Sequence, residues 1–283
     1  MTGNAGRTRR SSIVPDETGI DRHSPVGAEG VGATDSGRRV RAERGRAGPA
    51  VGGLSVTGLD GEVMHRVQPE VAERLRYLLE RLRGAGGIPR RLSLVSALSG
   101  EGVTHIARSL GAVLAHDTGH RVCVVDLNWW TPAATPGDAQ SLGIADVVFW
   151  PNSVGPPREA VGPRSSALVP TDDPNLWFLP AGDLDETHRP AVAHDDRLKM
   201  VMAEIAERFD YLVLDLPAVL VTSDSMTLTR LSDQFMLVVR QGATTQVQVQ
   251  AALDDLVAVP CAGIVLNFTE TKIPRIVRRY LGA

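Results

Sequence analysis

Short and almost wholly apolar segments alternate with segments of helical periodicity through most of this 283-residue chain. Apolar strands that are separated by helices are typical of a parallel sheet whose two faces are both covered. With right-handed crossovers, this order predicts an α/β fold in three layers, in which a doubly wound parallel sheet lies between two layers of helices. The predicted strands are residues 92–97, 121–126, 176–179, 211–216, 234–240 and 263–267.

Helical segments lie before and between these strands. The first is an amphipathic helix that begins at Gln68, carries five apolar residues at helical spacing and ends at the glycine-containing stretch 84–87. Because ligands of doubly wound folds bind at the carboxyl ends of the strands, the residues that directly follow the strands are the candidates for function. The other predicted helices are residues 103–116, 142–150, 195–208, 223–231 and 244–257.

Residues 1–60 differ in composition from the rest of the chain. They contain 12 glycines, nine arginines and no aromatic residue. Such a segment cannot bury enough apolar surface to offset the entropy lost on ordering. The composition therefore predicts a disordered Gly/Arg-rich tail for residues 1–60 and a single α/β domain for residues 61–283.

Composition also limits the cellular setting. The formal net charge of −3 gives no indication of nucleic-acid binding. The chain has no run of about 18 consecutive apolar residues, so we expect contact with a membrane only through a partner. The two cysteines, Cys123 and Cys261, both lie in apolar runs that look like buried strands and are expected to be reduced core thiols, which fits a cytoplasmic protein.

A glycine-containing turn connects the first predicted strand to the helix that begins at Val103. Its glycines allow backbone N–H groups to converge on a phosphate, and the N-terminus of the helix adds positive potential. A working P-loop ends in Lys followed by Ser or Thr, and here Thr104 is present while Val103 replaces the lysine. On spacing alone the match is weak, because such turns are common. The candidate nucleotide-binding residues are Gly100, Glu101, Gly102, Val103, Thr104 and His105.

Two other predicted strands end in aspartate. Asp126 closes the strand 121–126, and Asp215 lies near the end of the strand 211–216. Carboxylates at this end of a sheet can hold Mg²⁺ or polarise a nucleophile, although a helix cap or a turn also uses aspartate. Two such residues, together with the glycine turn, favour a phosphate site. We therefore take Asp126 and Asp215 as candidate catalytic residues, and Thr104, Asp126 and Asp215 as candidate metal ligands.

The order and wording of these motifs resemble the bacterial tyrosine kinases of capsular and exopolysaccharide biosynthesis. This CpsD/CapB-like group is related to the MinD/ParA-type P-loop ATPases. The first helix resembles the helix that packs neighbouring kinase subunits into a ring, with Glu73 and Arg76 in place but Leu79 instead of a further arginine. The other matching segments are residues 100–102, 124–126, 176–182, 209–217 and 263–267.

This resemblance implies ligands and partners. The site would hold ATP or ADP with Mg²⁺, and Asn267 would lie beside the adenine. The partner would be a membrane chain-length or export adaptor of polysaccharide assembly, which would bring the cytoplasmic protein to the inner face of the membrane. The helix with Glu73 and Arg76 would allow a homo-oligomer to form.

The departures from the kinase pattern concern its chemistry. Val103 replaces the lysine, Asn128 replaces the second aspartate of a D-x-D motif, and a single tyrosine, Tyr280, stands where the kinases carry a C-terminal tyrosine cluster. A charge-assisted hydrogen bond contributes about 1.5–3 kcal/mol, so the loss of the lysine should weaken nucleotide binding by roughly one to two orders of magnitude. The sequence therefore predicts a member with impaired or lost kinase activity.

Two alternatives stay open at this point. One is an active kinase that works with Thr104, the two aspartates and backbone amides, with Tyr280 as the first candidate for phosphorylation. The other is a positioning or partition switch of the MinD/ParA type. Those proteins usually carry a signature lysine where this chain has Leu98, and they lack the helix with Glu73 and Arg76, which disfavours the second alternative.

Overall fold

The computed structural model describes residues 53–131, 143–149 and 167–269. Within these ranges the chain begins with an antiparallel hairpin of β1 (Leu54–Thr57) and β2 (Val63–Val67), followed by helix α1 (Pro69–Gly84). The later elements, in chain order, are β3 (Arg91–Ser96), α2 (Val103–Thr118), β4 (Val122–Asp126), α3 (Ile144–Phe149), β5 (Val169–Pro170), β6 (Leu176–Leu179), α4 (Arg189–Ala193), α5 (Asp196–Arg208), β7 (Tyr211–Asp215), α6 (Asp224–Thr229), β8 (Gln234–Arg240), α7 (Gln246–Asp255) and β9 (Cys261–Asn267).

Seven strands form one sheet in the order β5-β6-β4-β7-β3-β8-β9. Its neighbouring strands are parallel, except for the short antiparallel pair of β5 and β6. Because β7 lies between β3 and β4, the carboxyl ends of these three strands meet at the same end of the sheet. Asp126 on β4 stands in register with Asp215 on β7 at that end.

Apolar side chains cover both faces of the sheet. One face packs with α5, whose Leu198 and Ile205 are fully buried beside it. The other face packs with α1, α2 and the hairpin, and its core includes Leu79 and Leu110. Strands buried on both faces must be apolar at nearly every position, which is why the sequence pattern is informative here. The predicted three-layer α/β fold is confirmed.

Helix α1 follows directly from its sequence. Pro69 lies in the first turn, where its fixed φ suits a helix and its missing N–H is not needed. The side chains of Ala72, Leu75, Leu79 and Leu82 form a buried stripe at helical spacing, and charged residues occupy the remaining faces. This stripe covers α2, which in turn covers the sheet.

Two predictions from the sequence are wrong. Residues Leu54–Thr57, assigned to the disordered tail, form β1, and Val56 and Val67 are buried against the core. The boundary at residue 60 therefore lies too far along the chain, while the tail itself stays a prediction because residues 1–52 lie outside the described ranges. Cys261 is exposed rather than buried, because β9 is the edge strand of the sheet.

Among the helices in the described ranges, none combines the length and the apolar character that a bilayer crossing requires. Tyr280, the candidate phosphorylation site, lies outside the described residues.

Candidate functional site

The turn between β3 and α2 has the backbone of a phosphate-binding loop. Gly100 and Gly102 have φ values of 80° and 88°, in the left-handed region that favours glycine. Across the described ranges, no hydrogen-bond partner is found for the backbone N–H groups of residues 100–105, and the first helical bond of α2 is donated by Ile106 to the Gly102 carbonyl. Six consecutive free N–H groups at a helix N-terminus suit an anion such as a phosphate.

Glu101 holds this loop from within. Its carboxylate is buried, and it accepts hydrogen bonds from the backbone N–H groups of Ala97 (3.0 Å) and Leu98 (3.3 Å). Its other oxygen accepts from the Thr244 hydroxyl and, at 3.5 Å, from the backbone N–H of Arg240. The side chain of Glu101 thus connects the loop to the segment after β8 through hydrogen bonds on both sides. Only its backbone is available to a ligand.

Asn267 contacts the same loop from the end of β9. Its side-chain amide donates to the Glu101 carbonyl at 2.9 Å, and its side-chain oxygen accepts from the backbone N–H of Phe268. The structure therefore uses Asn267 to support the loop, whereas the sequence resemblance implied a place beside adenine. Phe268, which the sequence did not single out, is half exposed with a φ of 56°, and the Arg240 guanidinium stacks over its ring at 4.6 Å.

The carboxylates of Asp126 and Asp215 come together at the ends of β4 and β7. Both residues are buried. One oxygen of Asp126 accepts the backbone N–H of Asn128 at 2.9 Å, whereas neither oxygen of Asp215 has a hydrogen-bond partner within the described part of the chain. Buried carboxylates without such partners are costly, so this pair requires a counter-charge or a shared proton.

The pKa values of the pair reflect this cost. Burial raises the pKa of Asp126 to about 6, against the weaker effects of the Asn128 N–H and the Arg108 charge. Burial, and then repulsion from Asp126, raises the pKa of Asp215 well above its ordinary value, while the Thr104 hydroxyl and Arg108 act in the opposite direction. Thr104, Asp126 and Asp215, the three predicted metal ligands, are therefore close enough to influence one another.

Arg108 is a member of this site that the sequence did not point to. It lies one helical turn beyond Thr104 on α2 and lines a small cavity together with Asp126 and Asp215. Its guanidinium carbon lies 5.8 Å from the centre of the Phe178 ring. The sequence did carry a signal, namely an arginine within the helix that follows a P-loop without lysine, but only the structure shows which way it faces.

Val103 and His105 bring no positive charge to the loop. The Val103 side chain is 7% exposed and belongs to the apolar core on the α1 and α2 side of the sheet. The His105 ring lies 5.0 Å from that of His65 on β2, and burial lowers the pKa of His105. Burial, followed by the charges of His105 and Arg108, lowers the pKa of His65 to about 4. At neutral pH neither imidazole replaces the missing lysine.

The residues after β4 have structural roles in this molecule. The side-chain oxygen of Asn128 accepts from the backbone N–H and hydroxyl of Thr131 at 3.2 Å, as in a turn. Trp129 is buried, and its ring N–H donates to the Ala181 carbonyl at 2.8 Å. Trp130 packs against the same core and lies under the Arg189 guanidinium. The segment that carries the second aspartate in the kinases is here part of the core.

The helix proposed for subunit contact makes an ion pair within its own chain. Arg76 donates to Asp117 of α2 at 2.8 Å and lies 3.6 Å from Glu73. A ring that used Arg76 would have to share or break the pair with Asp117. The homo-oligomer stays a prediction.

Substitution of Gly102 by alanine should destabilise the protein more than the same change at Gly100. Both glycines have a left-handed φ, which costs a residue with a Cβ about 1–2 kcal/mol. At Gly102 the new Cβ would also lie 2.3 Å from the Asn267 amide nitrogen, whereas at Gly100 nothing lies within 4 Å. Displacing Asn267 should cost about 1 kcal/mol more, a further drop of about 2–4 °C in the thermal unfolding midpoint.

Gly100→Ala is the matched control, because it carries the backbone strain without the contact. In an Asn267→Ala background, Gly102→Ala should cost no more than Gly100→Ala does, because the contact is already gone. Equal midpoints for the two single variants would contradict the contact with Asn267.

No model of a known protein family matches the chain. A curated protein, the succinoglycan biosynthesis transport protein ExoP of Rhizobium meliloti (strain 1021), is 27% identical over 194 residues, which cover 66% of this chain. The matched region is 23% of ExoP, so the chain spans less than a quarter of the length of this relative.

Solved structures of kinase domains share the fold. The kinase domain of the Escherichia coli tyrosine kinase ETK has a TM-score of 0.59 at 18% identity and covers 71% of this chain and 78% of its own. The VpsO kinase domain has a TM-score of 0.59 at 19% identity and covers 71% and 94%. The chimerical protein CapA2B2 has a TM-score of 0.60 at 15% identity and covers 72% and 86%. The chain therefore has the P-loop α/β fold of the bacterial tyrosine kinases, and its resemblance to those of polysaccharide biosynthesis is confirmed.

Proposed function

We propose that this chain is a tyrosine-kinase-like regulator of capsular or exopolysaccharide biosynthesis or export, with impaired or lost kinase activity. One observation carries the proposal. The loop has six consecutive backbone N–H groups without a hydrogen-bond partner among the described residues, but the position of the lysine is filled by Val103, whose side chain is buried in the core. The missing positive charge should slow phosphoryl transfer more than it weakens nucleotide binding, because charge builds up on the phosphoryl group in the transition state.

ATP or ADP is the ligand that this loop fits. Residues 100–105 would hold the phosphates through their N–H groups, and Glu101 and Asn267 would keep the loop in shape. The Thr104 hydroxyl and the carboxylates of Asp126 and Asp215 are the groups on hand for Mg²⁺, which would supply charge neutralisation at the phosphates. Within the described residues, no cluster of three or more His, Cys, Asp or Glu side chains is suited to hold a metal ion.

The role in polysaccharide assembly is supported by the similarity to ExoP and by the order of the motifs. ExoP is a transport protein of succinoglycan biosynthesis. We propose that the present chain acts in the cytoplasm at the inner face of the membrane, by docking on a chain-length or export adaptor. Regulation would then depend on whether nucleotide is bound and on whether the chain is docked on the adaptor, with little hydrolysis of ATP.

Autophosphorylation with labelled ATP and Mg²⁺ tests this function. The full chain should incorporate label at least about 100-fold more slowly than the ETK kinase domain, since a missing transition-state charge donor costs about 10²–10³ in rate. Val103→Lys should regain part of the rate, and Val103→Met, which has similar length without charge, should not. Tyrosine phosphorylation of the wild type at a rate close to that of ETK would show an active kinase, and Tyr280→Phe would then test the site.

A further inference from the structure

Arg108 is the only cationic residue among those that line the cavity at the carboxylate pair. Apart from Arg108 and the two aspartates, the lining side chains are apolar, and they include Met64 of the hairpin and Phe178 of β6. The cavity measures about 10 Å³, which is space for about one water molecule. Two carboxylates and one guanidinium thus share a small and largely apolar enclosure.

The fold holds the guanidinium in this enclosure from two sides. The side chain of a helical residue leans toward the N-terminus of its helix, which directs Arg108 back toward the turn that carries Thr104. Phe178 offers its ring face to the guanidinium at 5.8 Å, a distance at which a cation and an aromatic ring attract each other. Met64 of the hairpin also lines the cavity.

The guanidinium has no closer acid of its own. In the ranges that the structure describes, no acidic oxygen lies within 4.0 Å of the Arg108 guanidinium, and Asp126 and Asp215 are the acids that line the same cavity. Consistent with this, the charge of Arg108 opposes the rise in pKa of both carboxylates. The two carboxylate oxygens of Asp215 also lie in this group and accept no hydrogen bond within the described residues, and the Thr104 hydroxyl is the other group that lowers the pKa of Asp215.

We propose that, in the protein without nucleotide, Arg108 is the resident counter-ion of the Asp126 and Asp215 pair and occupies the place that Mg²⁺ would take together with a bound nucleotide. A magnesium ion requires about six oxygen ligands at 2.0–2.1 Å and gives up its water reluctantly. The cavity has room for about one water molecule and already contains a guanidinium beside the two carboxylates. This deepens the proposed loss of kinase activity, but it concerns the protein without nucleotide and can be tested whether or not nucleotide binds.

Thermal unfolding of the full chain with Mg²⁺ alone tests the proposal. The midpoint of the wild type should differ by less than about 1 °C between MgCl₂ and NaCl of equal ionic strength, because the guanidinium already occupies the position next to the two carboxylates. Arg108→Gln should unfold at a lower temperature, and Mg²⁺ should restore several degrees of that loss. Arg108→Lys should remain insensitive to Mg²⁺, since it keeps the charge.

The dependence on Asp215 separates a counter-ion from a packing role. In an Asp215→Asn background, Arg108→Gln should lose much less than in the wild type, and its response to Mg²⁺ should disappear. This double variant should also fold if Arg108→Gln alone does not. Arg83→Gln, on the exposed face of α1, is the control for loss of an arginine elsewhere.

Three results would overturn the proposal. One is a wild-type midpoint that rises with Mg²⁺ as much as that of Arg108→Gln. Another is an Arg108→Gln variant that folds but does not respond to Mg²⁺. The third is an equal loss for Arg108→Gln with aspartate or asparagine at residue 215.

Discussion

Asp215→Asn is expected to stabilise the protein without ligand by about 1–3 kcal/mol at neutral pH, because it removes the repulsion between two buried carboxylates that share a single guanidinium. Neither carboxylate oxygen of Asp215 accepts a hydrogen bond within the described residues, and Asp126 lies in register beside it. An asparagine amide can donate to the Asp126 carboxylate, which turns a repulsion into a hydrogen bond. Chemical unfolding of the full chain measures the change.

The pH dependence of stability should change in the same variant. Burial raises the pKa of Asp126 to about 6, and burial with repulsion from Asp126 raises that of Asp215. The folded protein therefore keeps protons that the unfolded chain releases near pH 4, so the free energy of unfolding falls as pH rises from about 4 through 6. For Asp126 alone the fall amounts to about 3 kcal/mol. In Asp215→Asn the free energy of unfolding should fall less over the same pH range.

Asp183→Asn is the control for this prediction. Asp183 is exposed, so its substitution should change the free energy of unfolding by less than about 0.5 kcal/mol. A loss of stability in Asp215→Asn, with Asp183→Asn neutral, would mean that the Asp215 carboxylate is satisfied in solution. It would then have a partner that the structure does not show.

Val103→Lys is expected to increase the affinity for ATP or ADP by about 10–100-fold, because a charge-assisted hydrogen bond contributes about 1.5–3 kcal/mol. The free N–H groups of the loop and the Thr104 hydroxyl are already in place. The new ammonium can reach the phosphates while its aliphatic stem stays in the apolar core that now holds the valine. Calorimetric titration of each nucleotide into the full chain measures the affinity.

The same substitution should cost stability when nucleotide is absent. Val103 is buried at the start of α2, where a positive charge also opposes the helix dipole, so a loss of about 1–2 kcal/mol is expected. Val103→Met separates the two effects, since it changes the packing without adding charge. Micromolar binding by the wild type, with no gain in Val103→Lys, would show that another group already replaces the lysine.

The fold could be predicted from the sequence because the strands β4, β7 and β8 are apolar at most positions. The order of the strands in the sheet could not be predicted, because the periodicity of a strand does not indicate which strands are its neighbours. The sequence predicted that Asp126 and Asp215 lie at the same end of a sheet. Only the structure shows that they are adjacent, because β4 pairs with β7. From the sequence alone, each aspartate could have been an ordinary turn residue, whereas the pairing of the strands places the two carboxylates next to each other.

The hairpin, the orientation of Arg108 and the exposure of Cys261 could not be predicted from the sequence, each for a physical reason. The hairpin buries only Val56 and Val67 well and lies next to a glycine-rich segment, so its composition resembles that of the tail. Arg108 occupies a helix position that is equally compatible with solvent, and only the packing of α2 on the sheet turns it toward the carboxylates. Cys261 lies in an apolar run like those of the core, but at the edge of the sheet.

The close approach of Gly102 and Asn267 restricts the evolutionary paths open to this chain. As long as Asn267 is present, any side chain at residue 102 meets its amide nitrogen, at 2.3 Å for a Cβ. If Asn267 is lost first, the Glu101 carbonyl loses its donor. Each single step is therefore unfavourable, although the two residues lie at opposite ends of the domain sequence. Lineages should keep both residues or exchange both, independently of whether catalysis is under selection.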